Sequence, residues 1–252
     1  MRGLFVTGTD TGVGKTFVAC ALAHALRSRG ARVAVAKPVE TGVEGEPEDA
    51  CRLRAAAADP APLAEICPYR LRAPLAPAVA ARLEGVTIDV DGIVALLRRR
   101  AAEVDVLLVE GAGGLLVPLA DHATFADLAA WCALPLLIVG ANRLGTINHC
   151  ALTARVAAGA GLAVRGFVLS QPSHETDRSG ATNAETIAAL TGLPVLAILP
   201  HCTAPEDVAA LLADVESLSV DSASTVTSST TARSRSLILK GFGGSGPMVI
   251  TF

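Results

Sequence analysis

Aromatic side chains are scarce in this chain, at 3% of 252 residues with one Trp and one Tyr. A core must therefore be built mostly from Val, Leu, Ile and Ala, which dominate the 51% hydrophobic fraction. Excess positive charge is also missing. The formal net charge is −3, so no basic face for nucleic acid is expected. No apolar run approaches the roughly 18 residues that a membrane span needs. The longest candidate, Leu134 to Ala141, contains Pro135 and Gly140. There is no C-x-x-C pair: the six cysteines, at 20, 51, 67, 132, 150 and 202, are scattered, which argues against zinc and for reduced core thiols. Met1-Arg2-Gly3 leads straight into an apolar strand, so no export leader and a cytoplasmic setting are expected.

What is present is organised around Phe5-Val6-Thr7-Gly8-Thr9-Asp10-Thr11-Gly12-Val13-Gly14-Lys15-Thr16. A short strand, Leu4 to Val6, enters a Gly- and Thr-rich turn. A helical pattern then begins at Gly14-Lys15-Thr16. This order is the physical recipe for holding a polyphosphate. Glycines let backbone N–H groups turn inward, and the helix N-terminus adds roughly half a positive charge. Lys15 would reach the outer phosphates and Thr16 would bind Mg²⁺. The loop is one residue longer than G-x-x-x-x-G-K-[ST], because the first glycine is Gly8. A turn that only caps a helix would not need Lys-Thr at that place.

Further along, Arg32 to Ala36 reads as a strand ending at Lys37-Pro38-Val39-Glu40-Thr41-Gly42, and residues 49–58 as an Ala-rich helix. Five prolines between 60 and 80 predict irregular chain with short helical pieces. Thr87 to Glu103 reads as a helix entered at Asp89 or Asp91. Val104 to Val109 suits a central parallel strand, and is followed by Glu110-Gly111-Ala112-Gly113-Gly114. Helices are expected over Phe125–Trp131, 147–158, Thr182–Leu190 and Pro205–Val215. Strands are expected over Leu136–Val139, Val164–Leu169 and Val195–Leu199, the last ending at Pro200. This alternation predicts a doubly wound, mainly parallel α/β domain over residues 1–216, of P-loop type, with active groups beyond the C-terminal strand ends. Twelve of the twenty residues 217–236 are Ser or Thr, so 217–252 reads as a largely disordered tail, whose last part either docks as a strand or hangs free.

Several strand-end residues have the chemistry for phosphoryl transfer, which needs a cradle, a metal with carboxylate help, and positive charge. Glu110 is the natural acid for Mg²⁺, or else an acid that pairs within a loop. Asp49 is either a second metal carboxylate or an N-cap. Lys37, before Pro38, is aimed across the strand edge or is an ordinary surface lysine. Gly111 to Gly114 lets a ligand approach the backbone or makes a wide turn. Gly145 to Asn148 opens a helix whose N–H groups bind a carboxylate or are simply capped.

Together, the glycine loop, Lys37-Pro38-Val39-Glu40-Thr41-Gly42, Val109-Glu110-Gly111-Ala112-Gly113-Gly114 and Leu144-Gly145-Thr146-Ile147-Asn148-His149 resemble the dethiobiotin synthetase family, in family order over residues 2–216. The longer loop is a trait of that family. The resemblance implies an ATP-dependent ligase of biotin synthesis. 7,8-Diaminononanoate takes up CO₂ as a carbamate, ATP phosphorylates it, and the second amine closes a cyclic urea. It also implies a homodimer. By resemblance, Lys15 contacts the transferring phosphate; Thr16, Asp49 and Glu110 hold Mg²⁺; Lys37 stabilises the carbamate and the mixed anhydride. Gly12, Val13, Gly14, Phe17, Gly111, Ala112 and Gly113 join the ATP site. Thr11 and Thr41 lie on the substrate side, and Gly145 and Asn148 bind the substrate carboxylate across the subunit interface. Ser170, Gln171, Pro200, His201, Cys202 and Glu206 fall on the adenine side. Relatives usually place Asn where this chain has Ser170-Gln171, which leaves base preference open. The physics is consistent: at an effective dielectric near 20, each like-charge pair costs about 4 kcal/mol at 4 Å, and two lysines with Mg²⁺ offset that.

The alternative from another class is a nucleotide-switch ATPase that dimerises on ATP to position a partner. Its loop would carry a further lysine near the start, where this chain has Thr9, Asp10 and Thr11. An amidating ligase of the cobyrinate a,c-diamide type would need a glutaminase half, for which there is no spare domain.

Overall fold

The computed structural model describes residues 1–172, 178–201, 204–216, 237–239 and 248–250. Two compact units are present, Met1–Ser222 and Ala223–Phe252.

The first unit begins with β1 (Gly3–Gly8) and α1 (Lys15–Ser28), then β2 (Val33–Ala36), β3 (Val39–Thr41), α2 (Glu48–Ala57), α3 (Leu63–Ile66) and β4 (Tyr69–Leu71). It continues with α4 (Pro77–Glu84), α5 (Val90–Ala102), β5 (Val106–Gly114), β6 (Pro118–Ala120), β7 (Ala123–Thr124) and α6 (Phe125–Trp131). β8 (Leu136–Ala141), α7 (Thr146–Gly159), β9 (Val164–Ser170), α8 (Gly180–Thr191), β10 (Val195–Leu199) and a 3₁₀ helix (Pro205–Glu216) complete it. Six strands form one sheet in the order β10-β9-β8-β1-β5-β2, with every neighbouring pair parallel. All their C-terminal ends therefore lie along one edge.

Side-chain alternation in the central strands explains the layers. Leu4 and Val6 of β1, with Val106 and Leu108 of β5, pack under α1, α2 and the 3₁₀ helix against Leu22, Leu53 and Leu212. Phe5, Leu107 and Val109 point the other way, against Ile93 and Leu97 of α5 and Phe125 and Leu128 of α6. Helix starts follow local chemistry: Asp89 caps α5 by accepting from the Gly92 N–H, and Thr124 with Asp127 forms a capping box on α6.

Differences from the sequence-based expectation concentrate in short elements. β3 and β4 form a separate parallel pair, Val39 opposite Tyr69 and Thr41 opposite Leu71, within chain expected to be irregular. Three-residue strands carry too few positions to show a period. β5 continues through the glycine cluster, and Gly8 pairs with Gly114, so the wide-turn alternative is replaced by a strand. The closing helix winds as 3₁₀. In the second unit, Leu237–Leu239 (β11) and Met248–Ile250 (β12) pair antiparallel. The expected disorder of 217–236 falls outside the described residues. Among the described residues no helix is long and apolar enough to cross a membrane.

β2 is an edge strand whose outward groups are satisfied by side chains. Asp59 accepts from the Val35 N–H at 2.9 Å and from the Ala61 N–H at 3.0 Å. Arg100 donates to the Val35 carbonyl and pairs with Asp59; both side chains are buried. Removing one partner of a buried pair leaves the other charge uncompensated. Asp59→Ala is expected to lower unfolding free energy by about 3–5 kcal/mol, read as a shift in the urea midpoint.

Candidate active site

Four strand ends build the site. β1 delivers the glycine loop, β2 ends at Lys37, β5 carries Glu110, and β9 ends at Ser170. Gly14 caps α1 at φ 88 with no side-chain hydrogen bond, so the first N–H groups of the helix stay turned to the loop. Only glycine fits here: the φ is left-handed, and a Cβ would sit 2.8 Å from the Ser170 hydroxyl oxygen. Ser170 is buried and donates to the Val13 carbonyl at 2.5 Å, holding the loop from beneath. This tie to the loop stands beside the expected place of Ser170 on the adenine side.

Lys15 is buried and folds back to donate to the Asp10 carbonyl at 2.9 Å. Burial lowers its pKa to about 8; Glu110 counters this and Lys37 adds to it. Lys37 is buried too, but well partnered. Its Nζ donates to Asp49 Oδ2 at 2.9 Å, Glu110 Oε1 at 2.5 Å and the Gly111 carbonyl at 3.4 Å. Burial alone would push Lys37 down; the two carboxylates outweigh it and hold the ammonium above its ordinary value. Burial likewise acts to raise Asp49, but the Lys37 ammonium wins and lowers it. The Thr16 hydroxyl donates to Glu110 Oε1 at 2.9 Å. The other oxygen, Glu110 Oε2, is buried and has no hydrogen-bond partner among the described residues.

Asp49 is not an N-cap. α2 is capped by Pro47, and Asp49 sits in its first turn facing Lys37. Lys37 is not a surface lysine, being 3% exposed. Both alternatives fail because contacts between distant segments, invisible to local spacing, set these side chains.

One cavity of about 650 Å³ gathers most of the candidates. Thr11, Gly12, Gly14, Lys15, Thr16 and Phe17 line it from the loop. Lys37, Thr41, Glu110, Ala112 and Gly113 line it from the other strands, and Asp49 from the first turn of α2. Val13 and Gly111 support it from behind, Val13 through Ser170 and Gly111 packed near Phe5 and Phe125. Gln171, Pro200 and His201 group beyond β9 and β10. The Gln171 N–H donates to the Leu199 carbonyl at 3.0 Å, and His201 Nδ1 lies 3.3 Å from the Gln171 carbonyl. Glu206 lies 3.8 Å from His24 of α1. Cys202 is outside the described residues. Gly145, the left-handed cap of α7, and Asn148 are exposed and lie outside the cavity.

Sequence reading missed several parts of the site, Arg52 and Val117 among them. Glu40, within the Lys37–Gly42 motif, lines the cavity and accepts from the Asp49 and Ala50 N–H groups. Burial raises its pKa. Pro74, Leu75, Ala76 and Pro77 form a wall in the proline-rich stretch. Their only sequence signal was Pro spacing. The five described cysteines are free thiols, and Cys202 is outside the described residues.

An all-parallel sheet with a glycine loop feeding Lys-Thr into a helix makes this a P-loop nucleotide-binding protein. The family model described as an AAA domain matches residues 2–208. An ATP-dependent dethiobiotin synthetase BioD from Anaeromyxobacter dehalogenans (strain 2CP-1) is 54% identical over 201 residues, 79% of this chain and 90% of that protein. One from Aromatoleum aromaticum is 42% identical over 218 residues, 84% of this chain and 96% of that protein. The chain belongs to the ATP-dependent dethiobiotin synthetase family. The cell division ATPase MinD of Pyrococcus furiosus shares the fold alone. Its TM-score is 0.55 at 19% identity, covering 86% of this chain and all of that one.

Lys15 makes stability pH-dependent. The folded protein releases its proton near pH 8, whereas the unfolded chain holds it to 10.5. Between these values the unfolded state binds more protons, so this residue makes stability rise with pH. Burial of Cys20 raises its thiol from 9.0 to about 12, which acts oppositely above pH 9.0. Comparison with Lys15→Met separates the two. The stability advantage of Lys15→Met is expected to be largest below about pH 8 and to shrink toward pH 10.5, by urea unfolding.

Proposed function

We propose that this chain carboxylates 7,8-diaminononanoate with CO₂ and closes it to dethiobiotin, using ATP and releasing ADP and phosphate. The carrying observation is that Lys37, Asp49, Glu110 and Thr16 converge on the cavity that the Gly14–Lys15 loop lines. Gly14 and the start of α1 receive the phosphates, and Lys15 leaves its carbonyl partner for them. Lys37 compensates the carbamate carboxylate and then the mixed anhydride. Thr41 faces the substrate side, with Leu75 and Val117 as apolar flanks for the alkyl chain.

Mg²⁺ fits the donor set: a hydroxyl, two carboxylates and the unpartnered Glu110 Oε2. No group of three or more His, Cys, Asp or Glu stands ready to hold a metal among the described residues. This agrees with an ion held largely by phosphates and water. Thr16, Asp49 and Glu110 would hold it, and it would neutralise charge on the phosphates. The exposed Gly145 and Asn148 act, on this reading, on the cavity of a second copy, which makes the active form a homodimer. The free thiols support a cytoplasmic setting.

Two measurements test this. ATP hydrolysis is expected only with both diamine and CO₂, with dethiobiotin identified by mass; equal turnover without diamine overturns the reading. Lys37→Ala is expected to keep ATP binding while ring closure falls by about 10²–10³-fold. Unchanged product formation would remove Lys37 from the mechanism.

A further inference from the structure

α2 lacks a cap of its own. Its N-cap residue is Pro47, which offers no side-chain oxygen, yet its first turn carries Asp49. Orphan N–H groups at a buried helix start need acceptors. They are supplied from outside the helix. Glu40, on β3, places Oε1 3.1 Å from the Asp49 N–H and Oε2 3.0 Å from the Ala50 N–H. Its side chain is 8% exposed, and both oxygens are used. The clamp joins the strand that follows Lys37 to the helix that holds Asp49, and the Lys37–Asp49 distance of 2.9 Å spans the same gap. β3 is itself held by β4, so the clamp is anchored on a fixed strand. Glu40 also brings a second carboxylate next to Asp49, a like-charge contact that the two amides, Lys37, Thr16 and Arg52 offset.

We propose that Glu40 is a positioning residue. By gripping the Asp49 and Ala50 amides, it sets the Asp49 carboxylate against Lys37 and Thr16 and thereby governs how the site takes a metal–nucleotide complex. The inference rests on the nucleotide and Mg²⁺ reading above. Glu40→Gln is the informative change. It keeps size and one acceptor oxygen but turns an NH₂ toward an amide donor, so the two-point grip is lost.

The experiment is ATP binding by calorimetry to the full chain, with Mg²⁺ and with EDTA, on wild type, Glu40→Gln, Asp49→Asn and the double variant. Partners behind metal ligands typically change metal affinity by about 10–100-fold. Glu40→Gln is accordingly expected to weaken Mg²⁺-dependent binding by about 10-fold or more and to leave metal-free binding unchanged. In the Asp49→Asn background the same change is expected to add almost nothing, because it acts through Asp49. Additive losses, equal losses with and without metal, or no change overturn the proposal. So does a rise in diamine KM alone, which would make Glu40 a direct contact of a substrate amine. If Glu40→Gln folds poorly, the cycle is run on Pro47→Ser, which gives α2 a cap of its own. Wild type that binds ATP no better with Mg²⁺ would instead refute the underlying metal reading.

Discussion

The structure depends on keeping two lysine ammonium groups out of water beside two carboxylates at one sheet edge. Charges in such a place are costly unless paired. Lys37 meets the condition with Asp49 and Glu110, and the three form a fixed unit. A parallel sheet is what makes the unit buildable. Its strand ends share one edge, so residues 37 and 110, far apart in sequence, meet there, and the first turn of α2 brings Asp49 to them.

Lys15 is treated differently. Among the described residues its ammonium donates to the Asp10 carbonyl alone, and burial lowers its pKa to about 8. A buried cation with so little compensation gains from a dianionic ligand more than Lys37 would. On the proposed reading the asymmetry divides the labour: Lys37 is held in place before any ligand arrives, while Lys15 is the group whose environment an incoming phosphate improves. Ser170 fixes the Val13 carbonyl and so holds the loop that carries Lys15.

What was legible in the sequence is what local physics decides. The glycine loop, the continuous apolar strands and Asp89 at a helix start announce themselves within a few residues, and the structure has them within a residue or two, except that β5 runs five residues past its expected end, to Gly114. Asp49 could not be assigned, because its role depends on Glu40 and Lys37 lying on other elements. The tie from Ser170 to the loop went unseen for the same reason: its partner, Val13, is 157 residues away. β4 and the wall at residues 74–77 stayed hidden because prolines erase periodicity while still permitting short, well-packed segments.

Fold likeness alone does not separate a ring-closing ligase from a nucleotide-driven switch, since one fold hosts many functions. The difference must lie in what faces the phosphates. A switch needs a charge that reports the nucleotide to a partner surface. Here the second lysine arrives from the end of β2, buried at 3% exposure and locked to the carboxylates of the same cavity. A cation held that far inside acts on something small enough to enter. On the proposed reading that is a carbamate rather than a protein surface, and the rigid placement of Lys37 serves chemistry because it does not have to signal outward.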